Sequence, residues 1–216
     1  MADAPITQDF VHVVDDHEGM RVLVERALDS VGLHCVTWDS PTALLSTLEN
    51  QKIDVLVVDI RLVGMSGIEL VRRLRNRGIN APVIFISGVD EVPVAIEAMK
   101  LGAHDFLPKP FAAQALIDTV QSALQTARIE QTRDARVTAV RNLMAKLSPR
   151  ERQVFLAVVD GKPNKVVAID LGLSEKTVEE HRSHMMSKLG ASSVPDLVKI
   201  AILAGVVDPA SAAVVS

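Results

Sequence analysis

The chain has 216 residues, 48% of them apolar, with 23 basic against 27 acidic side chains, enough to bury one large core or two modest ones. The single cysteine, Cys35, excludes an internal disulfide, and no Cys and His spacing suggests a structural zinc site. No run approaches the roughly 18 apolar residues of a spanning helix, and the N-terminus lacks a signal-peptide pattern, so a soluble, cytoplasmic protein with no membrane partner is expected.

Charge is unevenly spread. Residues 1–130 carry 11 Lys+Arg against 18 Asp+Glu, net −7, whereas residues 131–216 carry 12 against 9, net +3. The two halves are expected to face different partners.

From the N-terminus, short apolar runs alternate with longer segments of helical period, the signature of parallel strands joined by crossover helices. Strands are predicted at residues 10–14, 34–38, 55–58, 83–86 and 105–107. Helices are predicted near 18–30, 40–49, 67–77, 92–100 and from 112 onward. Residues 55–58 and 83–86 are unbroken apolar runs, as expected of central strands covered on both faces.

No Pro or Gly interrupts residues 111–148, so the fifth helix can run toward a second domain. Leu116, Val120 and Leu124 make one apolar stripe and Val137, Val140, Leu143 and Leu147 another, with polar residues between. The expected division is a domain at 1–127, a helical linker at 128–146, a second domain at 147–206 and a tail at 207–216.

In the second domain, Ser148-Pro-Arg-Glu151 reads as a capping box with Pro at the first helical position. Gly161 ends that helix, a second covers 164–171, Gly172 makes a turn, Ser174 caps a third running to 189, and a fourth covers 194–203. The Ala- and Val-rich segment after Gly205 is expected to fray.

In an open parallel sheet, ligands bind beyond the carboxyl ends of the strands. Asp15 and Asp16 follow the first predicted strand, Asp59 the third, Ser87 the fourth and Lys109 the fifth. Any one strand-end aspartate is often only a helix cap, but here three carboxylates, a hydroxyl and an ammonium converge on one edge. Crowded carboxylates repel, and a divalent cation such as Mg²⁺ relieves them. A strand-end carboxylate can also act as the nucleophile in phosphoryl transfer.

The runs Val13-Val14-Asp15-Asp16, Asp59 to Gly67, Ile86-Ser87-Gly88 and Phe106-Leu-Pro-Lys109-Pro110 resemble response-regulator receiver domains in order and spacing, over about residues 8–127. The resemblance implies a doubly wound (βα)5 α/β domain in which Asp59 accepts phosphate from a histidine kinase. It implies Mg²⁺ held by Asp15, Asp16, Asp59 and the main-chain carbonyl of Arg61, with Ser87 and Lys109 on the phosphoryl oxygens. Ser87 and Phe106 would form the switch, and the Lys109–Pro110 bond would be cis. Val63, where many receivers carry Pro, and Ser87, where Thr is frequent, depart from the pattern without removing a catalytic group.

Residues 143–206 are similar to the all-α, four-helix helix-turn-helix domain of LuxR/FixJ-type regulators, through Ser148-Pro-Arg-Glu151, Asn164-Lys165-Val-Val-Ala168, Leu173 to Val178, His181 and Lys188-Leu189-Gly190. At about 100° per residue, Val178, His181, Met185 and Leu189 form the inner stripe of the third helix, leaving a polar outer face. The resemblance puts Thr177, Glu179, Glu180 and Ser183 on the DNA-reading face and Lys165, Lys176 and Lys188 near phosphates. His184 is expected at the surface.

Few excess positive charges make one copy a weak binder, so a homodimer on paired half-sites of promoter DNA is expected, and the receiver resemblance implies that it forms on phosphorylation through the fourth and fifth receiver helices. The chain then regulates transcription and is no enzyme beyond its own phosphorylation and dephosphorylation. A phosphohydrolase of the haloacid-dehalogenase kind is the alternative, but it needs an acid two residues after the nucleophile, where Arg61 stands. A phosphorylation-independent DNA-binding scaffold is the third.

Overall fold

The computed structural model describes residues 9–48, 51–88 and 92–207. The strands and helices alternate as β1 (Val11–Val14), α1 (Glu18–Asp29), β2 (Cys35–Trp38), α2 (Pro41–Thr47), β3 (Val55–Asp59), α3 (Gly67–Asn76), β4 (Val83–Ser87), α4 (Val92–Lys100), β5 (Asp105–Pro108) and α5 (Ala113–Ala145). The strands form one parallel sheet in the order β2-β1-β3-β4-β5. The chain reverses its winding direction at β1 and β3, the place where such sheets open a crevice.

The two-residue period of a strand, with both faces covered, explains why β3 and β4 are apolar up to their last residues. Val11, Val13, Val55, Val57, Ile84 and Ile86 face a cluster with Val24 and Leu28 of α1 and Leu116, Val120 and Leu124 of α5. Val14, Leu56, Val58, Val83 and Phe85 face the other way, onto Leu44 of α2, Leu70, Val71 and Leu74 of α3 and Ala98 of α4.

β3 and β4 run one residue further than their apolar runs predict, because pairing continues through Asp59 opposite Ile86 and Ser87 opposite Pro108. Two polar residues are thereby fixed as the last residues of fully buried strands. The predicted end of the second helix at Glu49 and the tail beyond Val207 lie outside the described residues.

Two compact units meet at Glu130/Gln131, within α5, and residues 131–136 are all exposed. The second unit holds α6 (Pro149–Val159), α7 (Asn164–Leu171), α8 (Glu175–Leu189) and α9 (Val194–Leu203). Its core joins Val154, Phe155, Val158, Val167, Ala168, Val178, Met185, Leu189, Leu197 and Ala201. Val140 and Met144, inside the segment read as linker, are buried in this core as well.

Local signals set these helices. Ser148 and Glu151 form a reciprocal capping box with Pro149 at the first helical position. Gly172, at φ 66°, supplies the left-handed residue that turns α7 into α8. The Ser174 hydroxyl then accepts from the Thr177 N–H to start α8.

Candidate functional site

The parallel register brings the strand ends level, so residues far apart in sequence meet at one edge. Asp15 is 1% exposed, Asp59 6% and Ser87 0%. The Lys109 ammonium, in the loop after β5, donates to Asp59 Oδ2 at 2.6 Å and to Asp15 Oδ2 at 3.1 Å. Its backbone N–H donates to the Ser87 carbonyl at 2.6 Å, and the Lys109–Pro110 bond is cis. The sheet therefore assembles the predicted quartet of Asp15, Asp59, Ser87 and Lys109, with Asp16 beside it.

One ammonium shared by two buried carboxylates leaves negative charge in excess. Burial pushes the Asp59 carboxyl above the usual range, and Lys109 and the Arg61 N–H, 3.2 Å from Asp59 Oδ1, offset only part of that. Burial pulls Lys109 downward, but its bonds to Asp59 and Asp15 outweigh it and hold the ammonium above the ordinary lysine value. The Asp16 Oδ1 atom is buried and accepts no hydrogen bond. Ligand atoms of Asp15, Asp16, His17 and Asp59 all lie within 4.8 Å of one another. A buried carboxylate oxygen without a hydrogen bond, in a surplus of negative charge, fits a divalent cation.

The loop after β3 depends on one glycine. The Gly67 N–H donates to the Ile60 carbonyl at 2.9 Å, and a Cβ on Gly67 would fall 2.2 Å from the Asp59 carbonyl oxygen. Only a residue without a side chain lets α3 start so close to the strand that carries Asp59. Arg61 is exposed and Val63 is 80% exposed, so the departure at Val63 touches no packed surface. Phe106 is half-buried against the cluster that contains Phe85 and Ala98.

In the second unit, Val178, Met185 and Leu189 of the predicted inner stripe are buried, while His181 is half-buried. Lys176, Glu179, Glu180 and Ser183 are exposed on α8, as is Lys165 on α7. Thr177 is half-buried, its hydroxyl 2.8 Å from that of Ser174. His184 is exposed, and no metal-binding cluster among the described residues includes either histidine.

Lys188 has a protein partner. Its ammonium donates to Glu151 Oε2 at 2.7 Å, and that carboxylate also accepts from the Ser148 N–H at 2.7 Å. Lys188 is the largest cause, ahead of Ser148, that takes the Glu151 carboxyl down to about 2. The end of α8 is thus fastened to the start of α6. Arg182 of α8 similarly donates to Asn164 Oδ1, at the start of α7, at 3.0 Å.

Residues 11–121 match the response regulator receiver domain, and residues 145–201 match the bacterial regulatory proteins of the luxR family. The chain belongs to the two-component response regulators. This response regulator is 43% identical to the transcriptional regulatory protein FixJ of Azorhizobium caulinodans over 197 residues, 91% of this chain and 93% of that one. It is 40% identical to FixJ of Rhizobium meliloti over 93% of this chain and 98% of that one. The solved structure of the response regulator StyR superposes with a TM-score of 0.79 at 35% identity, covering 90% of this chain and 98% of that chain. The regulator thus joins a receiver, which takes its signal from a histidine kinase, to a LuxR-type DNA-binding domain, and it acts on transcription. Among the described residues no helix is long and apolar enough to cross a membrane.

Three residues at these sites went unassigned in the sequence. His17 adjoins two read aspartates, but a lone histidine after a strand carries no spacing signal. Gly67 lay within the quoted run, yet its need shows only when α3 is set against β3. Glu151 was read as a cap and not as the partner of Lys188, a residue 37 positions away.

Proposed function

We propose that Asp59 is the phosphoryl acceptor of this regulator and that its phosphorylation drives dimerisation and promoter binding. The observation that carries the reading is the 2.6 Å contact of Asp59 with Lys109 inside a crevice lined by Asp15, Asp16 and Ser87. In the transfer, an Asp59 oxygen forms a bond to phosphorus as the phosphorus–nitrogen bond of the kinase phosphohistidine breaks and the imidazole leaves. Lys109 moves from the carboxylate to the phosphoryl oxygens and neutralises them, and the Ser87 hydroxyl donates to a second oxygen.

Asp15, Asp16, Asp59 and the Arg61 carbonyl hold Mg²⁺, which when bound screens the charge between carboxylate and phosphate. Ser87, drawn toward the phosphoryl group, frees space into which Phe106 turns; the half-buried ring supports this role. The receiver is responsible for its own phosphoryl transfer and hydrolysis and for no other chemistry. We place its limits at residues 1–127, the linker at 128–146, the reader at 147–206 and the tail at 207–216, in a cytoplasmic protein.

On DNA, Glu179, Glu180 and Ser183 face the bases, Lys165 and Lys176 face phosphates, and Thr177 also belongs to the DNA-binding face. A carboxylate in the groove accepts from cytosine N4, giving sequence preference at some cost in affinity. Lys188 reaches a phosphate only by sharing itself with Glu151.

Incubation with Mg²⁺ and a small phosphodonor, followed by intact mass, sedimentation and binding to genomic DNA fragments, tests the scheme. One phosphoryl adduct, lost in Asp59→Ala and accompanied by a dimer and tighter DNA binding, is expected. No adduct with DNA binding unchanged would favour a phosphorylation-independent scaffold.

A further inference from the structure

We propose that His17 is an additional ligand of the cation site, and that its imidazole tunes this receiver toward borderline divalent cations such as Co²⁺, Ni²⁺ and Zn²⁺. The inference rests on the reading that a divalent cation binds at Asp15, Asp16 and Asp59.

His17 is the N-cap of α1, but its side chain makes no capping hydrogen bond. Helix starts favour Ser, Thr, Asp or Asn because those side chains satisfy an orphan N–H. The fold thus gains no cap from this imidazole, which is 77% exposed. Its backbone is nevertheless pinned at the crevice, since the His17 N–H donates to Asp15 Oδ1 at 2.8 Å.

From that anchor the exposed ring reaches two of the crevice carboxylates at their rim. His17 Nδ1 lies 2.8 Å from Asp16 Oδ1 and 3.5 Å from Asp15 Oδ1. Adjacent donors on one cation bound at about 2.0–2.2 Å stand roughly 3 Å apart, and opposed donors roughly 4.4 Å. The 2.8 Å contact matches the adjacent spacing and the 3.5 Å contact falls between the two, and all four ligand atoms lie within 4.8 Å of one another. The approach of His17 to Asp16 has the length of an ion pair but not the geometry of a hydrogen bond. Two metal-ligating atoms 2.8 Å apart, one of them a buried carboxylate oxygen, stand at the spacing of adjacent ligands on one cation.

The chemistry follows from the donor type. Mg²⁺ takes oxygen ligands and dehydrates reluctantly, whereas imidazole suits Zn²⁺ and other later divalent ions. A neutral nitrogen added to carboxylates leaves the charge of the site unchanged. It therefore alters which cation is preferred more than how strongly Mg²⁺ is held.

Calorimetric titration of the full-length protein with Mg²⁺, Mn²⁺ and Zn²⁺, on wild type, His17→Ala and His17→Asp, tests this, with pulsed EPR of the Mn²⁺ form read for nitrogen coupling. In His17→Ala, Zn²⁺ affinity is expected to fall by about tenfold or more, Mg²⁺ by less than about twofold and Mn²⁺ by an amount between the two, and the nitrogen coupling of the Mn²⁺ form to vanish. His17→Asp should strengthen Mg²⁺ without restoring the coupling. Equal losses for all three cations, unchanged affinities, or a coupling that survives in His17→Ala would overturn the role of His17 while leaving the Mg²⁺ site standing. No binding of any cation by the wild type would overturn both.

Discussion

The receiver crevice and the outer face of α8 carry charge under opposite conditions. At the crevice, Asp15 and Asp59 are buried and Lys109 bridges them within 3.1 Å. On α8, Lys176, Glu179 and Glu180 are exposed and make no hydrogen bond or ion pair among the described residues. A buried charge must be compensated on the spot, so its partners are visible before any ligand arrives. An exposed charge is solvated at little cost, and its task is written in contacts the free protein does not make. Lys188 lies between these extremes: half-exposed, yet committed to a buried glutamate.

The sharpest way to break this contrast is Lys109→Met. Phosphoryl transfer should slow by about 10²-fold or more, read as the rate of adduct formation by intact mass. Asp15 and Asp59 are then left without their ammonium, so added Mg²⁺ should raise the melting temperature of the variant more than that of the wild type. An equal rise in both would show that Lys109 does not compensate the crevice.

Gly67→Ala tests the same region through its backbone. The added methyl meets the Asp59 carbonyl oxygen, and overpacking of this kind costs about 2 kcal/mol. Trp38, the only tryptophan, lies in the receiver unit and makes its fluorescence a selective probe. Its urea midpoint should fall while the helical signal of the second unit keeps its own.

In the second unit, Glu151→Gln should cost about 1 kcal/mol through the weakened cap and lost ion pair. The carboxyl goes from its ordinary 4.5 down to about 2 in the folded protein. Its contribution is therefore complete above pH 4.5 and is lost as pH falls toward 2. Thermal melts across that range should show a shallower acid decline in Glu151→Gln than in the wild type.

The smallest effects belong to the exposed lysines. Lys176→Ala should lower the salt slope of DNA binding by about one counterion per protomer with no change in stability. Lys188→Ala should do the reverse, lowering the melting point of the second unit with little change in slope. Matching slopes for the two variants would return Lys188 to the phosphate backbone.

Periodicity and apolar runs are local properties of the chain, so the alternation of strands and helices and the placing of Asp15, Asp16, Asp59, Ser87 and Lys109 at strand ends are legible before any folding. The chain's capping signals likewise locate α6, α7 and α8 through Ser148, Gly172 and Ser174. The extension of β3 and β4 through Asp59 and Ser87 was not legible, because pairing with the neighbouring strand sets a strand's end. The closeness of His17 to three carboxylates, the need for glycine at position 67 and the capture of Lys188 by Glu151 were equally hidden. Each is a distance between elements, and such distances arise only when the sheet and the helices pack.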